Sequence, residues 1–300
     1  MTDTSNKCIW YLSKYVCPKG YDGTGTRAFF LMKHFAKLGH TSIILTSDSN
    51  HLIKNIPIMA KYSYVENIEN VSVHWLKTIK YKKTNSIRRI LSWIDFEIRL
   101  LFYKKNKIQR PDVIIVSSLS LLTILNGIIL KIRYKSKLIF EIRDIWPLTI
   151  VAEGKYSKIN PLVIALGLIE KLGYIYSDNI VGTMPNLSEH IRNIGVKKVA
   201  HCIPMGADIE TLSLTSQLPI EYINKYIPKD KFIVMHAGSV GITNALDTLL
   251  NSAKKIENSI QDIHFLIIGE GDLISKYKLQ YSSLSNLTFA PRVQKDMVQE

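Results

Sequence analysis

Short apolar runs rich in β-branched and aromatic residues alternate along the chain with segments of helical periodicity. Residues 8–13 (CIWYLS), 41–46 (TSIILT) and 71–76 (VSVHWL) predict strands, with a helix over 25–38 between the first two. A basic segment follows. Beyond it come strand 112–117 (DVIIVS), an apolar helix over 119–132, strand 137–141 (KLIFE), helix 161–176, strand 179–183, helix 186–193 and strand 198–203. Seven strands that read as nearly unbroken apolar runs, with helices between them, predict a parallel, doubly wound α/β sheet covered on both faces. At 203–208 (IPMGAD) the rhythm breaks into a Pro/Gly turn and a polar stretch reaching Pro228. A second series then begins: strand 231–236 (KFIVMH), helix 245–256, strand 263–268 (IHFLII), helix 273–281 and strand 286–289. The expected organisation is a Rossmann-like domain at 1–205, a linker at 206–230 and a partial Rossmann-like domain at 231–300. Three strands are fewer than the ~5–6 usual for a sheet, so the second domain reads as truncated.

Charge adds a second layer. The 300 residues carry 39 Lys and Arg against 25 Asp and Glu, and residues 71–110 alone hold eleven of those cations and only two acids. Within that segment Ile87, Ile90, Leu91, Ile94, Ile98, Leu101 and Phe102 recur at helical spacing and predict the core-facing side. A second stripe of Trp93, Phe96, Leu100 and Tyr103 runs beside it, flanked by Lys82, Lys83, Arg88, Arg89, Lys104 and Lys105. Aromatic residues beside cations suit an anionic bilayer surface. The same pattern also describes a broad core helix with a solvated basic rim. No nucleic-acid-binding pattern accompanies the charge, so nucleic acid is not an expected partner.

Several chemistries drop out. Cys8, Cys17 and Cys202 are odd in number and lack metal or disulfide spacing, which fits a reducing cytoplasm. The eight histidines are scattered, so no metal is expected on this chain. The start of the sequence lacks a signal-peptide pattern, and its longest apolar stretches fall short of a bilayer span. Any membrane contact is expected to be peripheral.

Four segments at strand ends carry candidate chemistry. In 18–27 (PKGYDGTGTR), Gly23 and Gly25 allow a tight turn before a helix N-terminus, Thr26 and Arg27 follow, and Arg27 could clamp a phosphate. The spacing is not that of a dinucleotide fingerprint, because position 28 is Ala. The segment 141–147 (EIRDIWP) places Arg143 and Asp144 where ligands collect in open α/β sheets, or else forms an ion pair that braces the Trp-Pro turn. In 236–244 (HAGSVGITN), Gly238 and Gly241 permit close backbone approach, with a helix expected from near Asn244. The segment 268–272 (IGEGD) ends the next strand in the same way.

Taken in order, PKGYDGTGTR, FAKLGH before TSIILTS, EIRDIWP, MPNLSEHIRNIGVKK leading to IPMGAD, HAGSVGITNALDTLL and LIIGEGD resemble glycosyltransferases of family 4, which have the two-domain GT-B fold. The resemblance covers essentially the whole chain. Its Arg-Asp-x-Trp-Pro form is similar to that of enzymes of O-antigen and capsule assembly that transfer amino-deoxy sugars.

The resemblance implies retaining transfer, without metal or cofactor, from a nucleotide sugar, commonly UDP-linked, to an undecaprenyl-diphosphate-linked glycan. It places the donor diphosphate at Gly238, Gly241 and Asn244, and the nucleotide side at Glu270 and Gly271. Backbone amides and Arg292 balance the diphosphate, since Ile242 and Asn244 stand where many members carry cations. Gly23, Gly25, Thr26 and Arg27 line the acceptor cleft, and Arg143 and Asp144 lie near the reacting sugar. The basic aromatic helix then docks the N-terminal domain on the inner leaflet. The family's acidic motif, two glutamates separated by seven residues, falls beyond Glu300. The alternative expectation is therefore an inactive remnant, or a membrane-associated subunit that a second polypeptide completes.

Overall fold

The computed structural model describes residues 5–23, 25–53, 55–81, 86–105, 108–152, 156–206, 216–294 and 297–298. The chain forms two compact units, Met1–Gly206 and Ala207–Glu300.

The first unit is built on an eight-stranded sheet of β1 (Cys8–Leu12), β2 (Thr41–Ser47), β3 (Ser63–Ile68), β4 (Val71–Leu76), β5 (Val113–Ser117), β6 (Lys137–Ile142), β7 (Asn179–Gly182) and β8 (Ala200–Cys202). Their order is β3-β4-β2-β1-β5-β6-β7-β8, and every pairing is parallel except β3 with β4. The central strands are apolar on both sides because both faces are covered. Cys8, Trp10 and Leu12 of β1 point into one core, whereas Ile9 and Tyr11 point into the other. The first core is roofed by α2 (Ile87–Phe102), α3 (Thr123–Tyr134) and α5 (Pro161–Tyr176), through Phe96, Ile124, Val163 and their neighbours. The second lies under α1 (Arg27–Lys37), which contributes Ala28, Phe29 and Met32. Asn160 caps α5 through Leu162 N, with Pro161 in its first turn. Short helices α4 (Leu148–Ala152) and α6 (Leu187–Asn193) complete the unit.

The structure adds one strand to the seven expected. β3 is an antiparallel edge strand of sequence SYVENI whose residues are exposed or half-buried, so it lacks the apolar run that marks its neighbours. Strand order reverses between β2-β1 and β5-β6, which opens a crevice at the carboxyl ends of β1 and β5.

The second unit contains α7 (Ile220–Tyr226), β9 (Phe232–Ala237), α8 (Asp247–Ile256), β10 (Ile263–Ile268), α9 (Ile274–Gln280) and β11 (Leu287–Ala290). Its three strands are parallel in the order β11-β10-β9. The stretch read as linker includes α7, whose Tyr222 and Tyr226 pack with Leu266 and Ile268 and whose Tyr222 hydroxyl donates to Pro291 O.

Candidate functional site

In the first unit the crevice is organised by side chains from four strand ends. Glu141, the penultimate residue of β6, is buried and accepts a hydrogen bond from the hydroxyl of the buried Tyr11. Burial first, and the adjacent carboxylate second, hold the Tyr11 phenol well above its ordinary range. Arg27, the first residue of α1, donates from Nε to Glu141 at 2.9 Å, from Nη1 to Pro204 O at 2.8 Å and from Nη2 to Ile203 O at 3.0 Å. One guanidinium thus ties the helix start to the ends of β6 and β8. Its charge-assisted hydrogen bonds hold Glu141 and the chain leaving β8 at the mouth of the crevice.

The glycines of the same loop are needed for packing. A Cβ at Gly23 would lie 2.1 Å from Leu52 O, in the segment with which Gly23 forms an antiparallel bridge through Ile53. Gly25 adopts φ +86°, a left-handed conformation that a side chain would strain. Thr26 lies at the helix start without making a side-chain cap.

The Arg143–Asp144 segment is pinned by Ser118, just beyond β5. Its hydroxyl oxygen accepts from Arg143 N at 2.9 Å and Asp144 N at 3.1 Å, and donates to Asp144 O at 2.9 Å. Asp144 is exposed, Arg143 half-buried, and the Trp146–Pro147 peptide is cis. Two donors in this segment, Arg143 Nη1 and Trp146 Nε1, are buried without a hydrogen-bond partner. A buried donor left unpaired is costly, and a ligand oxygen would satisfy it. Trp146 meets the edge of Trp93 at 6.3 Å, and both line a shallow, open apolar groove with Leu119, Leu121, Leu122 and Leu166.

Sequence reasoning missed Tyr11, Lys14, Ser118 and the part played by Glu141. Lys14 is fully buried beyond β1, where Nζ donates to Ser47 Oγ, Ser49 O and Ser92 Oγ at 3.2, 2.7 and 2.9 Å. Burial lowers its pKa to about 7. A lysine directly after an apolar strand was the available signal, because a strand end inside a covered sheet leaves such a group nowhere exposed to go.

The basic helix departs furthest from expectation. Its buried positions are Ser92, Phe96 and Leu100, whereas Ile87, Ile90, Leu91, Ile94, Ile98, Leu101 and Phe102 are exposed. The inner and outer stripes are therefore exchanged. Trp93 is half-buried, donating to Tyr15 OH at 2.5 Å with the Arg89 guanidinium 5.2 Å from its ring. Lys105 is a correction: it is buried, and its Nζ caps the end of α2 by donating to the carbonyls of Leu100, Leu101 and Tyr103, so it is not on a docking surface. Arg88 and Lys104 are exposed, and Lys82 and Lys83 lie outside the described residues.

In the second unit the two glycine segments are laced together at the carboxyl edge of the sheet. Gly238 N donates to Ile268 O and Val240 N to Glu270 O, each at 2.9 Å, and Leu273 N donates to Val240 O at 3.1 Å. A Cβ on Gly269 would stand 1.8 Å from Gly238 O, and one on Gly271 2.3 Å from Val240 O, so these glycines permit the lacing. Beside Gly238 and Gly241 the space is open except for His236 and Asn244 side-chain atoms beyond 3.2 Å. Ile242–Asn244 forms a 3₁₀ turn and α8 starts only at Asp247, later than expected, because Ala245 is left-handed. Exposed Asn244, Glu270 and Arg292 lie on loops leaving this same edge. Among the described residues no group of three His, Cys, Asp or Glu could hold a metal ion.

No protein-family model matches the chain. An uncharacterized glycosyltransferase of Methanocaldococcus jannaschii is 30% identical over 197 residues, which are 62% of this chain and 46% of that protein. The chain thus spans about half the length of the curated relative it matches. Among solved structures, Anabaena HepE in complex with UDP and glucose aligns over 96% of this chain and 70% of its own, with TM-score 0.54 and 11% identity. WaaG, a glycosyltransferase involved in lipopolysaccharide biosynthesis, aligns over 95% and 70% with TM-score 0.59 and 14% identity. TarM aligns over 99% and 79% with TM-score 0.58 and 11% identity. The fold is GT-B. Its two parts here are the eight-stranded and the three-stranded parallel-rich sheets, the second smaller than the first.

Proposed function

We propose that the chain belongs to a retaining glycosyltransferase of family 4 that transfers a sugar of the acetamido-deoxy type from a UDP-linked donor to a lipid-linked glycan in bacterial surface-polysaccharide assembly. The observation that carries this reading is the pair of laced glycine segments at one sheet edge of the GT-B second unit. Gly238 and Gly241 leave backbone open to a diphosphate, while Glu270, Gly271, Asn244 and Arg292 surround the same edge. HepE was solved with UDP and glucose, which supports UDP as the nucleotide. In the first unit the unpaired Arg143 donor, held by the Ser118 brace, would take an acceptor or phosphate oxygen, and Asp144 would orient a sugar hydroxyl. The acceptor hydroxyl oxygen replaces the diphosphate oxygen on the anomeric carbon, and its proton leaves with UDP. A lipid-linked acceptor places the enzyme at the cytoplasmic side of the inner membrane. Among the described residues no helix is long and apolar enough to cross a membrane, so attachment would be peripheral.

Calorimetric titration with UDP tests the reading. Saturable binding is expected, weakened about tenfold or more by Gly241→Val, which fills the space beside the loop without meeting its backbone neighbours. No affinity for UDP would overturn it.

A further inference from the structure

The carboxyl edge of the first sheet also carries an open pocket that involves neither the glycine turn nor the Arg143 segment. It lies beyond β4, where the residues that follow this strand meet those that precede its antiparallel partner β3 and the flank of α2. Lys61 and Tyr62 come from the chain entering β3, Lys77, Thr78 and Ile79 from the chain leaving β4, and Arg99 from α2. Three of these residues are cations and none is an acid. Hydrogen bonds, not apolar packing, fix the floor: Lys77 N donates to Tyr62 O at 3.0 Å, Thr78 N to Asp48 Oδ1 at 2.8 Å and Ile79 N to Asp95 Oδ2 at 2.8 Å. A pocket braced through its backbone is preorganised, which lowers the cost of binding.

The lining selects the ligand. Asp95 accepts from Arg99 Nε at 2.8 Å, which fixes the guanidinium without engaging its Nη atoms, and the guanidinium lies 6.0 Å from the Tyr62 ring. Lys77 Nζ spends one of its three donors on Met59 O, and Lys61 is exposed. The nearby acids are engaged, Asp95 by Arg99 and Ile79 N, Asp48 by Lys80 and Thr78 N. The fork of Arg99 and the ammonium groups of the two lysines are donors that hold carboxylate or phosphate oxygens. Beside them Tyr62 is 81% and Ile79 42% exposed, an aromatic and aliphatic wall against which a ring can stack. A nucleic-acid backbone would need the cations to continue along the surface, whereas β3, which follows Tyr62, carries Glu66 and no cation.

We propose that this pocket binds a negatively charged sugar unit, its carboxylate or phosphate held by Arg99, Lys61 and Lys77 and its ring stacked on Tyr62. The pocket shares a sheet edge with the crevice. Ser47 Oγ bonds both Thr78 Oγ1 and Lys14 Nζ, so the pocket floor is joined to the crevice through the ends of β4, β2 and β1, which are neighbours in the sheet. Two strand spacings, about 10 Å, separate the ends of β4 and β1, a span that an oligosaccharide covers. The bound unit is then a charged residue of the acceptor glycan, remote from the reacting one. Only that role, not the binding itself, rests on the function proposed above.

Calorimetric titration of the protein with tetragalacturonate and with mannose 6-phosphate tests the proposal, beside the neutral chain maltotetraose and inorganic phosphate. Saturable binding of at least one charged sugar is expected, falling as salt rises, and which of the two binds tells carboxylate from phosphate. Arg99→Gln should weaken it about tenfold or more, and Tyr62→Ala about threefold or more. Tyr62 and Lys61 are exposed, so Tyr62→Ala and Lys61→Gln test the pocket even where loss of the Arg99–Asp95 pair harms folding, which thermal melts report. Lys278→Gln on α9 removes the same charge elsewhere and should change nothing. Binding of neither charged sugar, equal binding of maltotetraose or inorganic phosphate, tighter binding of an oligothymidylate, or undiminished binding by the Tyr62 and Lys61 variants would overturn the proposal. UDP titration of the same samples separates the two readings: nucleotide bound with both charged sugars ignored sinks the pocket alone, and the converse sinks the transferase alone.

Discussion

Lys14 and Glu97 show what burial does to single charges in this molecule. Each is enclosed among hydroxyls and amides: Lys14 with Ser47, Ser49 and Ser92, Glu97 with Thr123 and Asn126. Burial drives the lysine down to about 7 and the carboxyl up to about 7, against the mutual attraction of the two groups. Glu97 holds its proton more tightly folded than unfolded. Its contribution to stability is therefore fully present below about pH 4.5 and is lost as pH rises to about 7. Lys14 behaves in the opposite sense: the unfolded chain holds that proton more tightly, so stability recovers between about pH 7 and 10.5. Glu97→Gln, a permanently neutral amide of the same shape, should accordingly be no more stable than the natural protein at pH 4.5 but more stable by about 1–2 kcal/mol at pH 8. Denaturant melts across that range measure the difference. A variant destabilised equally at both pH values would show that Glu97 works as an ion, paired with Lys14. The position of Lys14 after an apolar strand signalled its burial, but not its partners, which lie 33 to 78 positions away, and those of Glu97 lie 26 and 29 positions away. Arg27 hid its role for the same reason: two of its three acceptors are carbonyls 176 and 177 positions along the chain.

At the scale of elements, strands buried on both faces announced themselves as unbroken apolar runs. The helix over Pro161–Tyr176 was bounded by its cap and its Pro, and it lies where its sequence placed it. The glycine segments were legible too, because a strand followed at once by Gly leaves few conformations other than a turn. What sequence could not decide was which of two apolar stripes α2 turns inward. The broader aliphatic stripe looked like core, yet the structure buries Ser92, Phe96 and Leu100 instead. That side carries Ser92 to Lys14 and Glu97 to Asn126, so satisfying buried polar groups settles an orientation that hydrophobicity leaves open. The two faces predict different costs. Phe96→Ala, at a fully buried position, should lower stability by about 3–5 kcal/mol, whereas Ile98→Ala, half exposed, should change it by about 0.5 kcal/mol or less. Chemical denaturation of both variants compares them directly, and equal losses would contradict the observed packing.

Across the whole molecule the two units differ in charge and in cover. Residues 1–206 hold 30 Lys and Arg against 14 Asp and Glu, while residues 207–300 hold nine against eleven, so the cationic excess that suits a lipid surface belongs entirely to the first unit. Cover follows the same division. The central strands of the first sheet are buried on both faces, but β9, an edge strand of the second, is at most half-buried along its length, with Phe232 70% exposed. Backbone hydrogen bonds beneath exposed side chains open with less free energy than those inside a double-covered sheet. Hydrogen exchange should therefore be slowest in β1, β2, β5 and β6 and markedly faster in β9 and β11. A nucleotide bound at the glycine edge would oppose that opening locally, through mass action on the folded form of the second unit. Saturating UDP should slow exchange at residues 238–244 and 269–272, where Gly238 N and Val240 N already lace the segments together, and leave the first sheet unchanged. Protection confined to residues 23–27 and 141–147 would move the nucleotide to the first unit and reverse the assignment of donor and acceptor sites.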